Sequence, residues 1–210
     1  IDEYFTKRVP RTLQVTESKE DWAARQALIL NRLKSRTFRG WPTAAGDLAP
    51  TEEFRITRDG IAFSRWSFES QSGVRLPLYL AAPESVPFED LDLLVLNPLS
   101  ENDWNDFLTQ IGSAFPEAFP GIDLPELDEK LYRSEKGLHA SQKWGMAYLP
   151  VRGVGPTAWT SDEKERVQIR RRFALLGQTL DSMRIWDIRR ALQTLSSRED
   201  LGGVFLWLQA

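Results

Sequence analysis

Gly202-Gly203-Val204-Phe205-Leu206-Trp207-Leu208-Gln209-Ala210 is the stretch on which the fold turns. A short apolar run behind a glycine pair predicts a parallel β-strand buried on both faces. Two earlier runs have the same character: Leu91-Asp92-Leu93-Leu94-Val95-Leu96-Asn97 and Trp144-Gly145-Met146-Ala147-Tyr148-Leu149-Pro150-Val151. A helical region from about Ser161 to Leu195 separates the second run from the third. Its predicted apolar stripe is Ile185, Ile188, Leu192 and Leu195, and Gly177 marks a break into two helices. A buried strand needs a cap beyond its end, so the expectation is a chain that forms part of a larger enzyme.

Working back from there, the pattern changes from buried runs to alternation. Val74, Leu76, Leu78, Leu80 and Ala82 alternate, with Pro77 predicting an edge position; Gln71-Ser72-Gly73 and Arg58-Asp59-Gly60 are turn signals. These strands are predicted to be antiparallel with one wet face. The expected fold is therefore α/β: a mixed sheet, antiparallel strands first, then parallel strands with flanking helices. Residues 1–15 are predicted to form an extended arm and Thr16–Lys34 a helix with a Ser18/Asp21 capping box and Trp22 and Ile29 on its apolar face. The expected division is an arm and helix over 1–50 and an α/β domain over 51–210. The segment 101–142 holds an amphipathic piece (Trp104, Phe107, Leu108, Ile111) and a Pro-rich loop. A long insertion on such a scaffold predicts a binding mouth.

Composition narrows the partners. The chain has 210 residues, is 41% hydrophobic and 27% charged, and carries a net charge of −3. Interspersed signs leave no basic stripe for a nucleic-acid backbone, so no nucleic-acid partner is expected. No run approaches the roughly 18 apolar residues of a membrane span, and no membrane partner is expected. With no cysteine and a single histidine, disulfides and thiolate metal sites are excluded, and neither a metal nor another cofactor is expected. Ile1 opens the chain without a signal peptide, and export stays open.

The candidate residues cluster at strand ends. Arg152-Gly153-Val154-Gly155 follows the second buried run, where glycines permit a sharp turn. As a phosphate loop it is incomplete: Ala158 stands at the third glycine position and Pro156 interrupts the turn. A nucleotide-binding reading rests on Gly153 and Gly155 alone. Asp187 belongs either to a solvated helix face or to an inward position holding Arg152; its spacing from Met183 and Ala191 favours the second. Arg170-Arg171-Arg172, with Arg166, is either a solvated face balanced by Glu163 and Glu165 or a site for an acidic sugar or other anion. His139 lies at the amino end of its strand, away from the edge where α/β sheets bind ligands, and is expected to be structural. The Asn97-Pro98-Leu99-Ser100 loop leaves the first buried run, where backbone N–H groups can face a developing oxyanion.

Arg152-Gly153-Val154-Gly155-Pro156, Leu175-Leu176-Gly177-Gln178-Thr179 and Met183-Arg184-Ile185-Trp186-Asp187-Ile188-Arg189-Arg190-Ala191, followed by a hydrophobic strand, resemble the α/β-hydrolase superfamily, and within it the acetyl xylan esterase and cephalosporin deacetylase-like branch. The resemblance covers roughly residues 54–210. It implies that Leu91–Asn97, Trp144–Val151 and Gly203–Leu208 are the third, fourth and fifth sheet strands, the last leading into a G-x-S-x-G nucleophile elbow. Leu99 and Ser100 become oxyanion-loop candidates, and Arg152, Gly153 and Asp187 structural support behind the site. None of the serines present stands in G-x-S-x-G, so nucleophile, acid and histidine are all expected beyond residue 210. The implied function is the N-terminal portion of a serine carboxylic-ester hydrolase. Its substrate would be a small ester or acetylated carbohydrate, and its partner the remaining C-terminal segment of the same protein or a complementary chain. The alternative is a non-catalytic binding or structural protein on a degenerate hydrolase scaffold.

Overall fold

The computed structural model describes residues 16–209; the arm expected over 1–15 lies outside them. The chain divides between Arg39 and Gly40 into two compact units. In the first, α1 (Lys19–Arg32) begins at Ser18, whose Oγ accepts the Asp21 N–H at 3.0 Å. No residue of α1 is buried, so the predicted Trp22 and Ile29 face is exposed.

The second unit is a six-stranded mixed sheet. Strands β1 (Thr51–Arg58), β2 (Ile61–Gln71) and β3 (Val74–Pro83) form an antiparallel meander. The turn between β1 and β2 places Asp59 and Gly60 at φ 54 and 80, the left-handed region that suits a short polar residue and a glycine. Next come β4 (Leu93–Leu99), α2 (Glu101–Gln110), α3 (Glu129–Ser141) and β5 (Trp144–Pro150). The chain then forms α4 (Glu163–Leu175), α5 (Leu180–Ser196) and β6 (Phe205–Leu208), with Gly177 at φ 72 between the two helices. The strand order is β1-β2-β3-β5-β4-β6. β4 lies parallel to both β5 and β6, whereas β3 meets β5 antiparallel, so the meander joins the parallel strands along one ladder.

Three predictions need correction. Strands β2 and β3 have no wet face: Leu78–Pro83 is buried throughout, because α3 packs on β3 and β5, and α5 packs on β2. Pro77 belongs to an interior strand, but β5 pairs with β3 only over Tyr79–Ala81; the proline lies past the end of that ladder, a local edge. β6 is parallel but not buried. It pairs only with β4 at the sheet margin, and Phe205 and Trp207 are 61% and 55% exposed.

The core is aromatic. Phe63 stacks on Phe115 with centroids 4.6 Å apart, Tyr79 stacks on Phe119 at 4.9 Å, and Trp104 and Phe107 lie 5.9 and 5.5 Å from Tyr79. Phe107, Phe115 and Phe119 come from the segment expected to shape a binding mouth. The aromatic side chains of that insertion are core, each buried phenyl ring contributing about 1.5–3 kcal/mol by transfer alone.

Candidate functional site

Strands β4 and β5 end side by side, with Leu99 and Pro150 as their last register pair. The loops carrying Leu99-Ser100 and Arg152-Gly153 therefore leave the sheet along one carboxyl edge, where open α/β sheets bind ligands. Leu99 is buried at the end of β4. Ser100 is the N-cap of α2: its N–H donates to Asp103 Oδ2 at 2.9 Å, and its Oγ accepts the Asp103 N–H at 3.3 Å. This reciprocal box engages the Ser100 N–H internally. Hydrogen bonding from the Ser100 side chain, and after it from the Ser100 backbone N–H, holds the Asp103 carboxyl below its ordinary range.

Behind this edge lies a buried ion pair. Asp187, on α5, is 0% exposed and Arg152 5%. Arg152 donates from Nη2 to Asp187 Oδ1 at 2.7 Å, from Nε to Oδ2 at 2.8 Å, and from its backbone N–H to Oδ2 at 3.1 Å. Ser70 Oγ donates to Oδ1 at 2.5 Å, so both carboxylate oxygens are satisfied twice. The indole of Trp186 donates to the Ser70 carbonyl at 2.9 Å, and Arg152 Nη1 donates to Gln71 Oε1 at 3.3 Å. The turn after β5, the end of β2 and the middle of α5 are thus tied at one point. Such a paired charge fixes geometry more surely than it adds stability. Ser70 has a weak sequence signal: it shares the buried phase of Phe68 near the end of β2.

The two glycines serve packing. Gly153 has φ 77, its N–H donates to Thr157 Oγ1 at 3.1 Å, and a Cβ there would lie 2.5 Å from the Trp159 ring. Gly155 has φ 55, and its Cβ would lie 2.7 Å from Trp104. The Gly153 N–H that a phosphate would require is already donated to a side chain. His139 is buried on α3, with the Glu135 carboxylate 3.9 Å away. Burial lowers its pKa, against a smaller opposing contribution from the Trp144 backbone. It lies at the amino end of β5, remote in sequence register from the Leu99–Pro150 edge. Among the described residues, no group of three or more His, Cys, Asp or Glu side chains is placed to hold a metal ion, and no helix is long and apolar enough to cross a membrane.

Two concavities adjoin the edge. A groove of about 300 Å³ is lined by Asn97, Leu99, Asp103, Phe107, Tyr148 and Gln209. A narrow cleft touches Glu101, Gly153 and Trp159 together with Arg166, Arg170 and Arg184. The structure therefore brings Leu99 to one concavity and Gly153 to the other, and keeps Arg152 and Asp187 underneath. Asp103 and Arg184, which the sequence reading did not single out, stand at these openings. Arg184 Nε donates to the Arg152 carbonyl at 3.2 Å.

No family model matches the chain, and no curated protein matches it. Solved structures do. A protein from Bacteroides fragilis, named for its inferred acetyl xylan esterase activity, superposes with a TM-score of 0.64 at 11% identity, over 99% of this chain and 52% of that one. A glucuronoyl esterase from Solibacter usitatus superposes with a TM-score of 0.54 at 14% identity, over 95% of this chain and 55% of that one. The chain spans about half the length of these structures. At such identities the likeness shows the fold alone: a mixed α/β sheet of the hydrolase type that these esterases share.

Proposed function

We propose that this chain is the N-terminal portion of a serine carboxylic-ester hydrolase of the acetyl xylan esterase kind. The observation that carries the reading is the superposition of almost the whole chain on about half of an esterase-named structure. In this reading β6 leads into the nucleophile elbow, and Ser, acid and His follow it in that order. The substrate is a small ester or acetylated carbohydrate, and the partner that completes the site is the remaining segment of the same protein or a complementary chain. Leu99 and Ser100 are proposed to border the oxyanion hole, and Arg152, Gly153 and Asp187 to brace the edge behind it. Because the Ser100 N–H is donated to Asp103, the oxyanion donor on this loop is the other N–H, that of Leu99, or else Ser100 after Asp103 moves away.

The chemistry would be acyl transfer to the serine hydroxyl, with the tetrahedral oxyanion held by backbone N–H groups and the acyl-enzyme released by water. The test is to express the polypeptide read from the gene through and beyond residue 210, treat it with a fluorophosphonate probe and map the adduct. A labelled serine in a G-x-S-x-G sequence shortly after β6, with hydrolysis of 4-nitrophenyl acetate, is the expected result. A polypeptide that takes up no probe and cleaves no ester is instead a binding or structural protein on this scaffold.

A further inference from the structure

The cleft beside Gly153 continues into an apolar groove. The two share Trp159 and Ile169; beyond them the groove is lined by Phe173, Leu176 and the stem of Arg172 and has a volume of about 370 Å³. Trp159 and Phe173 lie with ring centroids 5.9 Å apart and planes tilted by 47°, giving the groove an aromatic floor. Trp159 is 49% and Leu176 75% exposed, so an apolar occupant would remove substantial hydrocarbon surface from water.

The charge at the cleft end is predominantly positive, one carboxylate, Glu101, standing with three arginines. Arg166 is matched: it pairs with Glu101 at 2.5 Å and lies 3.7 Å from Glu163. Arg170 and Arg184 line the same cleft, and among the described residues neither forms an ion pair. Arg184 uses its Nε on the Arg152 carbonyl, which fixes the guanidinium against the carboxyl edge of β5. Burial pulls the Arg184 guanidinium below its ordinary pKa; Asp181 and Glu101 oppose this and Arg170 adds to it. An anion placed between Arg170 and Arg184 would relieve that repulsion through charge-assisted hydrogen bonds.

From this juxtaposition of two unmatched guanidinium groups with an adjoining apolar groove, we infer that the α4 face is a binding site for a monocarboxylate with an apolar body. The carboxylate sits in the cleft between Arg170 and Arg184. The hydrocarbon or aromatic body lies over Trp159 and Phe173 toward Leu176. The cleft itself is too narrow for more than a small head group, which is why the body belongs in the groove. The inference stands on these residues alone and does not need the esterase reading.

Titration calorimetry with octanoate, acetate and 1-octanol tests it. Octanoate is expected to bind saturably, with acetate and 1-octanol each at least about tenfold weaker, since each lacks one half of the interaction. Arg170→Gln, at an exposed residue, is expected to weaken octanoate about tenfold and to leave 1-octanol unchanged. Arg184→Gln does the same but also loosens the Arg152 turn, so its melting curve is recorded beside that of Arg170→Gln. Trp159→Ala weakens octanoate and 1-octanol together. Octanoate and 1-octanol binding within threefold of each other, an Arg170→Gln variant that binds octanoate unchanged, or the absence of saturable binding overturns the site. So does sedimentation showing a dimer that Leu176→Glu abolishes, because a second copy would then be what occupies the groove.

Discussion

Replacing Asp187 with Asn keeps the side chain's shape and exchanges one carboxylate oxygen for an NH2 donor. In either orientation that amide meets donors: Ser70 Oγ and Arg152 Nη2 on one side, or Arg152 N and Nε on the other. The Arg152 charge, 5% exposed, then has no counter-charge and little solvent. Breaking a buried pair from one side costs about 3–5 kcal/mol. Asn still accepts at one oxygen, which places the expected loss near 3 kcal/mol. At about 2–4 °C per kcal/mol for a chain of this size, the melting temperature falls by roughly 6–12 °C. Urea unfolding followed by tryptophan fluorescence and far-ultraviolet circular dichroism measures the loss directly. The double variant Arg152→Met/Asp187→Leu removes both charges; it leaves Ser70 Oγ and the Arg152 N–H without their acceptor, at about 1–3 kcal/mol. It should therefore lose less than the two single variants combined. A loss under about 1 kcal/mol in Asp187→Asn, or strict additivity in the cycle, would refute the claim that this pair ties the turn after β5 to α5.

Three further outcomes follow from the core and the buried titratable groups. Gly155→Ala meets both a left-handed φ and the Trp104 ring, whereas Gly60→Ala meets only the φ; urea midpoints should show the first costing about 1–3 kcal/mol more than the second. Phe119→Ala should cost about 3–5 kcal/mol, since its ring is buried among Tyr79, Phe63 and Trp104; a loss under about 1 kcal/mol would refute the placing of this ring in the core. The pH dependence of stability should show two opposed slopes from α3. Burial raises Glu135, against the hydrogen bond from Gln110, so the folded state holds that proton longer and stability falls as pH rises above the ordinary value of 4.5. Burial lowers His139, so the unfolded state takes the proton first and stability falls as pH drops below 6.5. Glu135→Gln should flatten the first slope and His139→Gln the second in chemical denaturation from pH 4 to 8.

Much of the fold was legible because it rests on local signals. The apolar runs at Leu93–Leu99 and Trp144–Pro150 are the two parallel strands, Gln71-Ser72-Gly73 is the hairpin, and Gly177 separates α4 from α5. What escaped was set by neighbours distant in sequence. The predicted stripe of α5 included Ile185, which is exposed. Its other members are inward: Leu195 is buried, and Ile188 and Leu192 pack against the core, beside a buried face that also carries Leu180, Ser182, Met183, Trp186, Asp187, Arg190, Ala191 and Thr194. The stripe therefore marked one margin of the buried face, and the rest escaped because four of the nine buried residues are polar and carry no hydrophobic period. Its polar groups are satisfied by partners such as Ser70 and Arg152, and by the Glu69 carbonyl that accepts from Arg190 at 3.3 Å. At the strand ends, composition could place Leu99, Ser100 and Gly153 near one edge. It could not show that Asp103 takes the Ser100 N–H, because that depends on where α2 begins.

The two margins of the sheet differ in kind. β1 carries Glu52, Glu53, Arg55 and Arg58, and these are engaged: Glu53 with Arg65 at 2.8 Å, Glu52 with Arg55 at 2.5 Å, Arg58 with Glu117 at 2.7 Å. A strand approaching there would meet charge and would have to displace it, which is how natural sheets discourage pairing. β6 offers Phe205-Leu206-Trp207-Leu208, with no charge along it. The sheet is therefore directional, like a crystal with one growing face and one poisoned face. A strand approaching the β6 side would meet apolar side chains in place of charge.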